Sequence, residues 1–145
     1  MNKKKKDRGF SLIEVLVGIF LVAVAVLGLA ELFLLSVANN LQADRVANAT
    51  FLAQQQIDRL RGFTAVELDI YTSTPLESRD EVLDLNLDLT NDFRRITGIS
   101  LADGMFNVNV HVYSAENVSG VSAAALLADP EQYRSRAMIS TLISR

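Results

Sequence analysis

Residues 10–38 read FSLIEVLVGIFLVAVAVLGLAELFLLSVA. Val15 to Ala30 is uninterrupted apolar sequence, and Ser11, Glu14, Glu31 and Ser36 are the only polar residues in the stretch. At 1.5 Å per residue a helix over these residues is about 44 Å long, enough to cross a hydrocarbon core of about 30 Å. All four lysines, Lys3 to Lys6, stand just before it with Arg8. A basic run followed directly by an apolar one marks the cytoplasmic flank of a span, which puts the chain after Ala38 outside.

Two plainer readings compete. A secretory signal peptide is also basic then apolar, with small-residue cleavage sites available at Ala23-Val24-Ala25 or near Ala38. The apolar run is long for that role, carries a charge near its start and flows into further helical sequence. A simple single-span anchor passes the length test but leaves Glu14 unexplained. A lone acid inside a membrane helix costs about 2.5–3.5 kcal/mol on insertion scales, so it ordinarily has a partner. No Lys, Arg or His of the segment is there to pair with it. A cut between Gly9 and Phe10 changes this. It creates an α-amino group with a reference pKa of about 7.7–8.0, largely cationic near neutral pH. That amine lies four residues from Glu14, or beside the Glu14 of a neighbouring chain.

Gly9-Phe10-Ser11-Leu12-Ile13-Glu14-Val15-Leu16 resembles the type IV prepilin cleavage and methylation motif. The resemblance implies that a prepilin peptidase cuts after Gly9 and methylates the Phe10 amine. Glu14 then pairs with the Phe10 amine of an adjacent subunit during assembly. The apolar helix spans the inner membrane before assembly and lies in the filament core afterwards, with the rest of the chain periplasmic and then at the cell surface. Other major and minor pilins and an inner-membrane assembly platform follow as partners. Many major pilins carry a proline midway through this helix, whereas this chain has prolines only at Pro75 and Pro130. Glu31 stands about where that proline falls and reads as an interfacial residue at the outer end of the span.

Beyond the span, Val46, Ala49, Ala53, Ile57 and Leu60 follow +3/+4 spacing, which continues the helix amphipathically. Arg59 and Arg61 before Gly62 mark its end. Leu52-Ala53-Gln54-Gln55-Gln56-Ile57-Asp58-Arg59-Leu60-Arg61 resembles a segment of PilV-type minor pilins and related pseudopilins. Thr64 to Ser78 reads as a turn-rich connector. Leu83-Asp84-Leu85-Asn86-Leu87-Asp88-Leu89 alternates with period two, the pattern of a half-buried strand. Its acids fail as an EF-hand loop, because Leu89 and Arg95 stand where Gly and Glu are required. Met105 to Tyr113 alternates Phe106, Val108, Val110 and Val112 against Asn107, Asn109 and His111. Asp103-Gly104 signals a hairpin turn to a strand around Phe93–Ser100. His111, on the polar face, reads as a surface histidine. Ser114 to Asp129 is a long loop with a short helix at Ala123–Ala128, and Arg136–Arg145 a closing strand.

The fold class that emerges is α+β: a long N-terminal helix packed on a small antiparallel sheet. The segments are a leader at 1–9, an apolar helix at 10–38, its amphipathic continuation at 39–62 and a β-rich head at 63–145. The leader carries +4 and the remainder −7, so no basic cluster outside the leader suits nucleic acid. The chain has no cysteine, which excludes disulfides and thiolate chemistry. No nucleophile–base pair or metal cluster stands out, so neither an enzyme nor a cofactor is expected. The function expected is that of a minor pilin. A type II secretion pseudopilin, which shares leader and peptidase, is the alternative within the class. A single-span anchored domain binding a ligand through Ser114–Asp129 is the alternative outside it.

Overall fold

The computed structural model describes residues 11–144. Helix α1 runs from Leu12 to Arg61, and α2 from Ala65 to Ser73. Strands β1 (Asp80–Leu83), β2 (Phe93–Ala102) and β3 (Met105–Ser114) follow. Helix α3 (Ala123–Ala128) and strand β4 (Ala137–Ser144) complete the chain. The chain divides into two compact units, Met1–Gln42 and Ala43–Arg145.

In the first unit every described residue of α1 is exposed, from Leu12 at 80% to Leu41 at 59%. Gly18 and Gly28 soften a helix by about 1 kcal/mol each relative to alanine, yet α1 continues through both without a break.

In the second unit, α1 buries Ala49, Leu52, Ala53, Gln56, Ile57 and Leu60. Val46, which the spacing assigns to the same stripe, stays 40% exposed. The helix stops at Gly62, whose N–H donates to the Asp58 and Arg59 carbonyls at 3.2 and 3.1 Å.

The four strands lie in the order β1-β2-β3-β4, each antiparallel to the next. Ala102 pairs with Met105, leaving a two-residue turn in which Asp103 and Gly104 have φ of 52° and 74°. Positive φ at both central residues is what a type I′ turn requires, and it matches the twist of the flanking strands. Phe106, Val108, Val110 and Val112 pack with Phe93, Ile143 and the buried stripe of α1. Burial of this apolar face is favourable at about 25 cal/mol per Å² removed from water, and it forms the larger of the unit's two buried clusters. The expected α+β arrangement is thus the observed one.

Three expectations need correction. Thr64–Ser78 is largely helical. Thr64 Oγ1 accepts from the Glu67 N–H at 3.3 Å, while Glu67 Oε2 accepts from the Thr64 N–H at 2.7 Å. This capping box satisfies two donors that a helix start otherwise leaves open, and hydrogen bonding from Thr64 holds the Glu67 carboxyl below its usual value. Second, the strand at Leu83–Leu89 ends at Leu83. Asp84 accepts from the N–H groups of Asn86, Leu87 and Leu89 at 3.2, 2.7 and 2.9 Å. The short acidic side chain captures the donors that a ladder would use, and Leu87 and Leu89 are forced to φ of 59° and 70°. Third, the sheet is covered on both faces. Ile96 and Tyr113 of its second face pack with Val118, Ala123 and Leu126 from the Ser114–Asp129 segment. Within that segment the expected short helix at Ala123–Ala128 is α3; what differs is the 3-10 turn at Ala115–Val118 and the packing of the segment on the sheet.

Candidate functional site

Of the residues singled out for processing and assembly, Glu14 stands near the start of α1. Gly9 and Phe10 lie outside the described residues. Ser11 opens the helix, its carbonyl accepting from the Glu14 and Val15 N–H groups at 2.9 and 3.3 Å. Glu14 therefore sits in the first turn, where the unsatisfied N–H groups and the helix dipole favour a carboxylate. Its side chain is exposed and projects from a surface of exposed Leu12, Ile13, Val15, Leu16 and Val17. Among the described residues no cation reaches Glu14 within ion-pair distance. The next acid, Glu31, is also exposed.

This turn holds one negative charge at the cationic end of a helix whose next 16 residues, Val15 to Ala30, carry none. In water that surface is unfavourable. In lipid, or against other apolar helices, it is satisfied everywhere except at Glu14. The helix is long and apolar enough to cross a membrane, and none of its most apolar window is buried within the chain.

The remaining candidates resolve differently. His111 is 4% exposed rather than a surface residue. It stacks on Tyr113 at a ring separation of 6.3 Å, and its Nδ1 is buried without a hydrogen-bond partner. The cause is the cover of the sheet's second face, which strand alternation alone does not reveal. Burial pushes the His111 pKa down and that of Tyr113 up to about 12. The Tyr113 hydroxyl donates to the Leu126 carbonyl at 2.6 Å, tying α3 to the sheet. Asp84, Asn86 and Asp88 are spent on their own loop. Among the described residues no group of three or more His, Cys, Asp or Glu side chains is placed to hold a metal.

Two arginines on β2 do structural work that the sequence reading passed over. Arg94 donates from Nε to Asp80 at 2.8 Å and from Nη1 to the carbonyls of Val118 and Val121 at 2.9 and 2.7 Å. Its pairing with Asp80 raises its pKa further. Arg95 points to the other face, donating to Glu81, to the Leu52 carbonyl at 3.0 Å and to Gln55 at 3.3 Å. Together they fasten one segment to each face of the sheet. The signal was available: Asp80-Glu81 and Arg94-Arg95 are an acidic and a basic pair on neighbouring antiparallel strands.

Compared with known proteins, residues 4–30 match the prokaryotic N-terminal methylation motif. No curated protein and no solved structure matches the chain. The matched residues take in Lys4–Lys6, Arg8, Gly9, Phe10, Glu14 and the apolar segment as far as Ala30. The motif supports a type IV pilin-like protein, a substrate of prepilin peptidase anchored by its apolar helix. It stops short of the Ala43–Arg145 unit, whose reading rests on its own structure.

Proposed function

We propose that the chain is a minor pilin of a type IV pilus, cut between Gly9 and Phe10 and N-methylated at Phe10. Glu14 then pairs with the Phe10 amine of an adjacent subunit as the helix leaves the inner membrane for the filament. One observation carries this reading: the methylation motif leads into an apolar helix whose single early acid, Glu14, lacks a cation among the described residues. Cleavage removes every lysine and supplies a cation at the spacing Glu14 needs. The carboxylate, unfavourable in a membrane while alone, then becomes the group that selects and registers a neighbour.

Before assembly the leader lies in the cytoplasm and the residues after Ala38 in the periplasm, following the charge asymmetry of the flanks. The missing helix proline and the Leu52–Arg61 segment favour a minor PilV-type subunit over a major pilin. Intact-mass and N-terminal sequencing of the native protein test the processing step. The expected mature chain starts at a methylated Phe10, and any other start refutes it. A secretion pseudopilin shares this chemistry. Deleting the gene separates the two, since loss of surface pili supports the pilus and loss of protein secretion with pili intact supports the pseudopilin.

A further inference from the structure

Between Val121 and Arg136 the chain crosses the second face of the sheet as a strap, tied at both ends. Arg94 Nη1 donates to the Val121 carbonyl at 2.7 Å, and the Arg136 N–H donates to the Val112 carbonyl at 2.8 Å. Among the described residues, one hydrogen bond joins residues 122–135 to the sheet, from the Tyr113 hydroxyl to the Leu126 carbonyl at 2.6 Å. The strap's other bonds close upon itself. The Leu126 and Asp129 N–H groups, for instance, donate to the Ser122 and Ala125 carbonyls, each at 3.2 Å. Helix α3 has six residues, too few to persist in water without a surface to pack on.

His111 lies beneath this strap. It pairs with Ile96, which packs with Ala123 and Leu126. On one side of it along β3, Tyr113 holds Leu126. On the other, Asn109 pairs with Gly98, and Leu127 Cδ1 lies 3.6 Å from where a Cβ on Gly98 would stand. The imidazole is buried, and its Nδ1 has no hydrogen-bond partner. A neutral ring leaves one acceptor unmet, whereas a protonated ring buries a charge, which is the larger penalty. The surrounding groups give no relief. Asp80, beyond Ile96, is held by Arg94. Arg136, two residues before Met138 on the β4 side, is itself a cation. Tyr113, with its pKa pushed up to about 12, stays neutral. Helix α3 has no titratable side chain, and Asp129, Glu131 and Arg134 of the strap are exposed.

We propose that residues 122–135 form an acid-released strap: a proton taken up from solvent by His111 is accommodated by lifting α3 off the sheet. Lifting breaks the Tyr113–Leu126 bond and lets water reach the imidazole, while the ties at Val121 and Arg136 keep both ends in place. This is the shortest route to water, because it gives up one bond to the sheet and the packing of Ala123, Leu126, Leu127 and Tyr133. Strands β2, β3 and β4 stay paired. Segments with so few ties open well below the free energy of global unfolding. The strap lies wholly within the Ala43–Arg145 unit and does not depend on cleavage after Gly9.

With the strap down, burial holds the His111 pKa below its ordinary 6.5; with the strap up, it returns to that value. Lifting is therefore promoted as pH falls below 6.5 and is indifferent to pH above it. A closed-state ring that stays neutral sets a ceiling of about 25-fold on the increase in lifting from pH 7 to pH 5.

Hydrogen exchange of the full chain, corrected for the pH dependence of free amides, reads this at the Leu126 and Asp129 amides. Both should be less protected than the amides of β3 at either pH. Between pH 7 and pH 5 both should lose protection severalfold, within the ceiling of about 25-fold. Strand β3 should show a step as well, since global unfolding also frees His111; the strap is identified by the same step in amides of lower protection. His111→Phe and His111→Gln should each remove the step at Leu126 and Asp129. Unchanged protection of these two amides between the two pH values overturns the proposal. So does protection as strong as that of β3, which leaves no separate opening, or a step that survives in a variant whose β3 remains protected at pH 7. The first two outcomes need no variant, so an unstable substitution leaves the test intact.

Discussion

The Arg95–Glu81 pair offers a test in which the two partners should differ in a direction that geometry decides. Arg95 is buried, with 6% of its side chain exposed, whereas Glu81 retains 34%. Arg95 makes bonds to Glu81, Leu52 and Gln55 that together satisfy most of its donors. Arg95→Met leaves behind a carboxylate that water can reach and a Leu52 carbonyl within α1. The cost is that of a few charge-assisted hydrogen bonds partly replaced by water, about 1–2 kcal/mol. Glu81→Leu instead strands a guanidinium beneath the helix. Losing one partner of a buried pair costs about 3–5 kcal/mol, and the surviving Leu52 and Gln55 acceptors hold this case near the lower end. Arg95→Met with Glu81→Leu removes both charges, which in buried pairs is often close to neutral. The double variant should therefore be more stable than Glu81→Leu alone, by about 2 kcal/mol on the same reasoning. Amide hydrogen exchange of β2 and β3 in the full chain measures the opening free energy. If Arg95→Met proves the more damaging single change, or the two effects add, the asymmetric-burial argument is wrong.

Three further outcomes are expected. Glu14→Val should keep the chain in the membrane, an apolar residue there inserting more readily than an acid, yet abolish its recovery in sheared filaments; unchanged recovery refutes the pairing role. Tyr113→Phe removes the bond to the Leu126 carbonyl and should cost about 1–2 kcal/mol, read as faster exchange within α3 while β3 stays protected. His111 has a folded-state pKa below its ordinary value of 6.5, through burial. The unfolded chain thus takes up a proton first, so this group lowers stability as pH falls below 6.5 and contributes nothing above it. His111→Phe should flatten that acid-side loss, measured as β3 exchange protection at pH 5 against pH 7.

How much was legible in advance depended on whether neighbours in sequence or neighbours in space set the structure. The span of α1 and its end at Gly62, the Asp103-Gly104 turn and the β2–β3 hairpin all follow from local periodicity and turn chemistry. The helix at Ala65–Ser73 was legible too, since Thr64 and Glu67 stand at the spacing of a capping box. Leu83–Leu89 misled because its alternation is real, but Asp84 gives the backbone donors a nearer partner than any strand. His111 was misplaced for a different reason. Its strand face is polar at Asn107 and Asn109, and only the Ser114–Asp129 segment, fastened by Arg94 and Tyr113, converts it into a second core. At the candidate site the reverse holds. Glu14 is conspicuous in sequence because its surroundings are so uniformly apolar, whereas the fold adds only its first-turn position and its exposure.

That contrast indicates where specificity resides. An apolar helix carrying one acid can pack against any similar helix, so the N-terminal segment explains how a subunit joins a filament but not which subunit it is. The distinguishing information must lie in Ala43–Arg145, which the methylation motif does not reach. There the charges are segregated: Asp80 and Glu81 are consumed by Arg94 and Arg95, Asp84 and Asp88 by their own loop, while the residues around β4 carry arginines and no acid. On the proposed function, helix packing supplies register along the filament axis, and the choice of neighbour falls to the surface of the Ala43–Arg145 unit.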